Sequence, residues 1–410
     1  MLALLLAAWA STAQEGGAQA QARAHLERAR EGLRAGARES ARRELESAVR
    51  LDPQLAEAQV RLGLLLLDLG EGEAARARLR AGAETATPPT LLGLGAACLR
   101  GGLLEEAQEF LERAERLDPA LDQLDLLLGQ AYAARGMHGR AVERLRRAAA
   151  RAPASPQAHY LLGVTLSLQG EAAPAVAALE RAATLDPANA ALHYYLGLAY
   201  LDARRLPDAV GALERSAVLA PGDRNAAVNL AWALITLGRY QQAGERLDAW
   251  VREHPRDAAA LFLAGESRRR AGDMDGALER LDSALAAEPG LGDALFARGS
   301  VFLLRQDRAR ARADFERLLA ADADHAGAHY QLGKLELGEG RLDAAVAHLE
   351  KSVALEPGNK AAHFQLARAY RRQGRAEEAQ RAAARFRDLG REPRGEAEWR
   401  AAPPPRPKAP

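Results

Sequence analysis

Four residues in the C-terminal half of the chain have the types and spacing of metal ligands: Asp322, Asp324, His325 and His329. His325 and His329 are four positions apart, so on a helix their rings would share one face and could bind zinc together with a carboxylate. The alternative is that His325 lies in a loop and His329 packs against a neighbouring helix. We favour the alternative, and we predict no metal ion and no cofactor.

Two further features resemble reactive sites. The run from Gly70 to Ala75 has the pattern of a dinucleotide-binding loop, but no strand is predicted before it, so we interpret Gly70 as a turn glycine. Cys98 is the single cysteine, which excludes an intramolecular disulfide framework, and its position predicts a buried, unreactive thiol. No other arrangement of catalytic residue types is evident, and we predict that the protein is not an enzyme.

The elements that would position these residues are helices. Ala, Leu, Arg and Glu, which are strong helix formers, dominate the composition, and aromatic residues are only 5%. Prolines recur every 34 residues from Pro119 to Pro289, each near the end of one repeating unit. With this proline numbered 32, position 20 is alanine in all eleven units, position 8 is glycine or alanine, and position 15 is usually glycine.

This pattern predicts two antiparallel helices in each unit. Glycine at position 15 ends the first helix in a left-handed turn, and the closing proline ends the second. Small residues at positions 8 and 20 let the two helices approach closely, and leucine at positions 7 and 24 fills the seam, as in the pair Leu162 and Leu179.

The spacing and residue types resemble those of the tetratricopeptide repeat family. The resemblance implies an all-α fold, a right-handed superhelical solenoid of about eleven helix-turn-helix repeats, whose first helices line a concave groove. The predicted units are residues 22–55, 56–87, 88–121, 122–155, 156–189, 190–223, 224–257, 258–291, 292–325, 326–359 and 360–393. The ninth unit has Gln306 for the turn glycine and Ala323 for the proline, so we expect a local irregularity there.

Histidine recurs at position 4 of five units. Because these histidines lie in different repeats, they cannot share one metal ion, and we interpret them as packing against neighbouring helices. They are His25, His159, His193, His329 and His363.

The predicted binding site lies at the groove positions that the resemblance implies, which are 2, 5, 9, 12 and 13. Position 5 carries a column of aromatic residues, and later units add positive charges. The candidate residues are Tyr160, Tyr194, Phe262, Phe296, Tyr330 and Phe364, with Arg269, Arg270, Lys334, Arg368, Arg371 and Arg372. Such a groove suits an extended peptide or a partner helix that mixes acidic and apolar residues. The alternatives are that the aromatic residues pack between repeats and that the arginines form an ordinary solvated surface.

The net charge of +1 argues against a surface committed to nucleic acid, and we predict that the partners are other proteins. The charge is uneven, because residues 360–410 carry 13 Lys and Arg against 6 Asp and Glu.

The N-terminal residues predict export. Leu2 to Ala10 form an apolar run, and Ser11-Thr12-Ala13 fits a cleavage site, which predicts a signal peptide over residues 1–13 and a linker over 14–21. The expected location is the periplasm or the exterior; the alternative is an apolar N-terminal helix of a cytoplasmic protein.

Residues 394–410 are basic and proline-rich and predict a disordered tail. No span of the mature chain is predicted to cross a membrane.

Three roles remain open from the sequence. The first is an exported scaffold that organises an envelope or secretion complex, which the predicted signal favours. The second is an accessory subunit of an envelope biosynthetic enzyme, and the third is a cytoplasmic adaptor.

Overall fold

The fold is all-α throughout the part of the chain that the structure describes. The structure is a computed structural model that describes the backbone of residues 2–391 and the side chains of residues 17–390. The predicted signal residues 1–13 lie outside the range of described side chains, and the predicted tail 394–410 lies outside the described residues altogether.

Twenty-two helices, numbered in chain order, account for the described residues, and they alternate as first and second helices of the repeats. Their bounds are α1 Leu2–Arg34, α2 Arg38–Leu51, α3 Ala56–Asp68, α4 Gly72–Ala83, α5 Pro88–Arg100, α6 Leu104–Leu117, α7 Leu124–Ala134, α8 His138–Arg151, α9 Pro156–Leu168, α10 Ala172–Leu185, α11 Ala190–Asp202, α12 Leu206–Leu219, α13 Arg224–Thr236, α14 Tyr240–Glu253, α15 Ala258–Ala271, α16 Met274–Ala287, α17 Gly292–Leu304, α18 Arg308–Ala321, α19 Ala326–Glu339, α20 Leu342–Leu355, α21 Lys360–Arg372 and α22 Ala376–Arg391.

The chain forms two compact units, residues 1–187 with α1 to α10 and residues 188–410 with α11 to α22. Within each unit, every odd-numbered helix packs against the next even-numbered helix as an antiparallel pair, and that second helix packs against the first helix of the next repeat. First helices of neighbouring repeats also contact one another, as α7 does with α9 in the first unit and α19 with α21 in the second. Successive first helices are in contact from α5 to α9 in the first unit and from α11 to α17 in the second.

Where position 8 is glycine, the two helices of a repeat approach so closely that a Cβ atom there would clash with the facing helix. A Cβ atom added to Gly163 would lie 2.5 Å from Cγ of Leu179, the leucine at position 24 of the same repeat. The same geometry holds for Gly95 with Leu111 and for Gly197 with Leu213. These leucines are fully buried, so the core of these repeats is built by a leucine that lies directly over a glycine of the facing helix.

The turn between the two helices has a left-handed residue at position 15 of every repeat. Nine of these residues are glycines, and the other two are Arg204 with φ of 57° and Gln306 with φ of 61°. The ninth repeat therefore keeps the regular turn although it lacks the glycine, and the irregularity expected there is not found in the turn. An L-residue with a side chain is disfavoured in this conformation, so surrounding packing imposes it.

We predict that Gln306→Gly increases the free energy of unfolding of the ninth repeat by about 0.5–1 kcal/mol, because the relief of left-handed strain exceeds the entropic cost of glycine. Hydrogen exchange of the amides in α17 and α18 measures this change locally. Gln306→Ala is the matched control, since alanine also has a Cβ atom and gains nothing. Equal protection in the two variants would contradict the prediction.

Candidate protein-binding site

The aromatic residues at position 5 differ in how far they are exposed. In the first compact unit Tyr160 is half-buried. In the second unit, Tyr194 and Phe262 are buried, with 4% and 8% of their surface exposed, whereas Phe364 is 44% exposed.

Two ring contacts and one hydrogen bond show how the aromatic residues of the second unit pack. Phe296, which is half-buried, packs against Phe315 and His325, with ring centroids 5.7 and 5.2 Å apart. The Tyr194 hydroxyl accepts a hydrogen bond of 3.3 Å from Nδ2 of Asn229 in the next repeat. Most of the column therefore packs between helices, and Phe364 is the member best placed to meet a partner.

Arg269 and Arg270 are paired with a carboxylate that the sequence reasoning did not consider. Glu266 lies on the same helix, α15, and is only 6% exposed. Nη2 of Arg269 and Nε of Arg270 lie 2.7 and 2.6 Å from Oε1 of Glu266. Burial opposes the charged form of Glu266, but hydrogen bonds from the two arginines outweigh it and lower the pKa of the carboxyl group.

A second carboxylate, Asp293, also lies near these residues. It is half-buried in the first turn of α17, and burial raises the pKa of its side chain, a shift that the nearby Glu266 increases and His325 opposes. Glu266 stands at position 9 and Asp293 at position 2, so the implied groove positions could have identified both residues from the sequence. The groove at the eighth and ninth repeats therefore does not carry an excess of positive charge.

The four candidate cations of the last two repeats are different, because they are exposed and their described polar contacts are with neutral groups. Nζ of Lys334 lies 5.4 Å from the ring centre of Tyr330, and Cζ of Arg368 lies 5.9 Å from that of Phe364. Nη1 of Arg368 donates to Oε1 of Gln365 at 3.0 Å, and Nη1 of Arg372 donates to the backbone oxygen of Leu337 at 2.5 Å.

Arg371 completes this group and is likewise exposed. In the described part of the chain, no carboxylate lies within ion-pair distance of Lys334, Arg368, Arg371 or Arg372. We call these four residues, together with Tyr330 and Phe364, the cationic aromatic surface. It lies on α19 and α21, which contact each other within the second compact unit.

The residues with metal-like spacing are engaged in other interactions. Nδ1 of His325 caps α19 by accepting a hydrogen bond of 3.0 Å from the amide of Ala328, and Oδ1 of Asp324 lies 2.7 Å from Nζ of Lys351. Among the residues whose side chains are described, no group of three or more histidine, cysteine or acidic side chains could hold a metal ion.

His329 instead pairs with a histidine of the second helix of its repeat. Nε2 of His329 lies 3.1 Å from the carbonyl oxygen of Ala323 and must donate to it, because a carbonyl oxygen can only accept. In the neutral ring, Nδ1 of His329 therefore has no proton and accepts a hydrogen bond of 2.9 Å from Nδ1 of His348. Burial and the adjacent His329 lower the pKa of His348.

Two other histidines at position 4 make the same backbone contact as His329. Nε2 of His159 and of His363 each lies 3.1 Å from the carbonyl oxygen of the proline that closes the preceding repeat, Pro153 and Pro357. The predicted packing role is therefore accompanied by a specific hydrogen bond that holds the loop between repeats.

The other sequence candidates for chemistry are structural. Gly70 has φ of +80° and forms the turn after α3, so the run from Gly70 to Ala75 is not a dinucleotide loop. Cys98 is fully buried, and burial, with a contribution from Glu106, raises the pKa of its thiol to about 12, which keeps it protonated at neutral pH. No helix among the described residues is long and apolar enough to span a membrane.

Comparisons with known proteins agree with this architecture. Tetratricopeptide repeat models match residues 88–121, residues 126–186, 169–224, 228–291, 264–326 and 296–360, and residues 336–397. Because the matches cover more than half of the chain, it belongs to the tetratricopeptide repeat family. No protein of curated function matches it significantly.

Solved structures of similar fold include the Cut9–Hcn1 hetero-tetramer of APC/C, at 16% identity and a TM-score of 0.47 over 91% of this chain and 74% of that one. A tetratricopeptide repeat protein from Parabacteroides merdae is 18% identical with a TM-score of 0.44, covering 61% of this chain and 98% of that one. TTC0263 from Thermus thermophilus is 26% identical with a TM-score of 0.37, covering 44% of this chain and 98% of that one.

We predict that Glu266→Gln lowers the free energy of unfolding at pH 7 by about 1–3 kcal/mol, since it leaves Arg269 and Arg270 without their carboxylate. The pKa of Glu266 is lowered by folding, so its stabilisation is present above the pKa of the unfolded chain and is lost as the pH falls through the folded value. The difference between wild type and variant, measured by denaturant unfolding, should therefore shrink towards acidic pH. Glu279→Gln, an exposed change in α16, is the control, and a pH-independent difference would contradict the assignment.

Proposed function

We propose that this tetratricopeptide repeat protein is a non-catalytic scaffold whose cationic aromatic surface binds a partner segment that combines acidic and apolar residues. Its fold indicates protein–protein interaction in general, and the proposal specifies where on the chain the partner binds and what its chemistry is. The observation that carries it is the cluster of four exposed cations without carboxylate partners beside the exposed ring of Phe364.

The charge argument depends on the contrast between two parts of the same unit. At the eighth repeat, Arg269 and Arg270 already form ion pairs with Glu266, so we no longer count them among the residues that would bind an acidic ligand. At the tenth and eleventh repeats, Lys334 and Arg368 both stand at position 9 of their repeats, on helices that contact each other. Like charges on neighbouring helices repel each other, and an acidic ligand would relieve this repulsion.

The apolar part of the ligand would be recognised by Phe364 and Tyr330. Phe364 exposes 44% of its surface, which is much more than the buried Tyr194 and Phe262 at the same position of earlier repeats. Exposed aromatic rings at the centre of an interface supply most of the binding energy once water is excluded, while charges at the rim mainly set the association rate.

A non-catalytic role is supported by the extent of the repeats and by the local nature of their contacts. The repeats extend over the predicted range 22–393, and each repeat contacts only its neighbours, so distant residues are not brought together as they are in an enzyme pocket. Among the candidate reactive residues, Cys98 is buried in the core, and His159, His329 and His363 form hydrogen bonds to backbone carbonyl groups.

We further propose that the protein acts outside the cytoplasm, in the periplasm or as a secreted protein, where it organises an envelope or secretion complex. The support for this is the apolar run from Leu2 to Ala10 followed by the small residues up to Ala13.

We predict opposite kinetic effects for the two parts of the cationic aromatic surface. A suitable probe is a set of labelled peptides with two acidic residues beside one aromatic residue, and an equal set with lysine in place of the acidic residues. Arg368→Glu with Arg371→Glu should decrease association of the acidic peptides at least tenfold at low salt and flatten its salt dependence. Phe364→Ala should instead increase dissociation about tenfold, as measured by stopped-flow anisotropy.

The matched control is Arg181→Glu with Arg215→Glu, the same change in net charge on exposed arginines of the second helices α10 and α12. The proposal fails if both double charge reversals have the same effect, or if the lysine peptides bind as well as the acidic ones. If the proposal holds, a photoreactive residue at position 364 should cross-link to the natural ligand in cells, and the cross-linked protein can be identified by mass spectrometry.

We predict that the mature protein begins at Gln14. Mass spectrometry of the N-terminal peptide from native protein, after cell fractionation, measures both the cleavage site and the compartment. Intact protein that retains Met1 to Ala13 in the cytosolic fraction would contradict export, and the scaffold would then be a cytoplasmic adaptor. A mature N-terminus at Gln14 outside the cytoplasm is the expected result.

A further inference from the structure

The last repeat departs from the others at the residue that fills its core. Position 24 is leucine in nine repeats and phenylalanine in the ninth, and it lies over the small residue of position 8. In the eleventh repeat, position 24 is Ala383 and position 8 is Ala367. The missing side chain is not replaced by another residue of the repeat, and a hollow of about 530 Å³ opens between α21 and α22.

The floor of this hollow is apolar. Ala367, Ala379 and Ala383 line it, and the rings of Phe364 and Phe386 lie beside it with their centroids 5.3 Å apart. In the tenth repeat, the equivalent face of α20 is covered by α21, and Val353 there packs against the buried cluster that includes Leu366 and Tyr370. The hollow therefore lies on the face of α22 that is equivalent to the face of α20 covered by α21.

The rim of the hollow is positively charged. Arg368, Arg371 and Arg387 line it, and none of the three forms an ion pair with a carboxylate among the described residues. Arg387 stands at position 28, where the tenth repeat has Val353 and the seventh has the buried Val251. An arginine at this position replaces an apolar contact by a charge, so the face is not suited to the same kind of apolar helix. It is suited to a large apolar side chain flanked by carboxylates.

A segment with this composition follows α22 in the same chain. Residues 396–399 read Glu-Ala-Glu-Trp, and Trp399 is the only tryptophan after Trp250. Pro393 is disfavoured within a helix, and Gly395 is suited to a chain reversal. The eight residues that follow Arg391, up to Trp399, can extend over roughly 26 Å, whereas Ala383 lies about 12 Å back along α22, so the segment is long enough to reach the hollow.

We propose that residues 396–399 bind this hollow in the same molecule, with the Trp399 side chain over Ala383 and with Glu396 and Glu398 facing Arg368, Arg371 and Arg387. The segment completes the core of the last repeat by supplying the apolar side chain that position 24 lacks. The inference is based on α21 and α22 and does not require the proposed function. Because Phe364, Arg368 and Arg371 belong to both sites, the segment also competes with any ligand of the cationic aromatic surface.

The test uses the full chain and follows hydrogen exchange of the α22 amides. Trp399→Ala should increase exchange in residues 376–391 about fivefold to tenfold, and Glu396→Lys with Glu398→Lys should give a similar increase at low salt that diminishes as salt is added. Arg406→Glu with Lys408→Glu is the control, since it changes two charges of the following chain outside residues 396–399. Unchanged exchange in Trp399→Ala would overturn the proposal.

Filling the hollow provides a second, independent measurement. Ala383→Leu restores the residue of position 24, and the buried pairs Ala29 with Leu45 and Ala231 with Leu247 show that leucine fits over alanine in this fold. In protein labelled with 5-fluorotryptophan, the Trp399 resonance, assigned from Trp399→Phe, should shift in Ala383→Leu to the value of a solvent-exposed indole. An unchanged resonance would overturn the proposal, as would α22 protection that rises with protein concentration, which indicates docking on a second copy.

These outcomes are separable from those of the proposed function. Loss of acidic-peptide binding in the Arg368 and Arg371 double variant, with normal exchange in Trp399→Ala, contradicts only the intramolecular docking. Faster exchange in Trp399→Ala, with no binding of acidic peptides even when Trp399 is replaced, supports the docking and contradicts the proposed partner chemistry.

Discussion

The close approach of the two helices within each repeat is the constraint on which the rest of the structure depends. A Cβ atom at Gly163 would lie only 2.5 Å from the Leu179 side chain, so the contact requires a glycine or a locally adjusted alanine at position 8. The turn at position 15 must then place the second helix directly across the first. It must do so even where the residue is Arg204 or Gln306 and the left-handed backbone is disfavoured. Within each compact unit, the second helix of a repeat packs against the first helix of the next repeat, so the position of one helix pair determines that of the following pair.

Because this core is so uniform, individual repeats differ mainly in their charges and in how their core ends. In the eighth repeat, Glu266 makes a local ion-pair cluster with Arg269 and Arg270, which leaves little to offer an acidic ligand. In the eleventh repeat, Arg368 and Arg371 have no such partner among the described residues, and Ala383 leaves the core open beside Phe364 and Phe386. The unpaired cations and the open core thus occur in the same repeat, at the C-terminal end of the described part of the second compact unit. Both the charge and the apolar surface available for binding are concentrated there.

The periodic features of the fold could be predicted from the sequence, and the contacts between side chains could not. The 34-residue spacing predicts the helix pairs, the left-handed turns and the glycine-to-leucine contacts, because these follow from backbone geometry that every repeat shares. Whether an aromatic residue at position 5 is buried depends on its neighbours, so the sequence did not separate Tyr194 from Phe364. The pairing of Arg269 with Glu266 was detectable, since they are three positions apart on one helix, but it was missed when only the positive residues were counted. The change from leucine to alanine at position 383 was also visible in the sequence, although its consequence requires the packing around it.

Three histidines of position 4 hold the loop between repeats by a hydrogen bond to a backbone carbonyl group, and in two of them this bond does not depend on the charge of the ring. In His159 and His363, the nitrogen that binds the closing carbonyl is a donor in the neutral ring, and it remains a donor when the ring gains a proton. Protonation therefore leaves this bond in place and strengthens its electrostatic component. The contact between His329 and His348 behaves otherwise, because two facing nitrogens require that at least one ring stay neutral. The two joints that His159 and His363 hold are therefore insensitive to the charge of those rings, whereas the paired rings within the tenth repeat cannot both carry a charge and keep their mutual hydrogen bond.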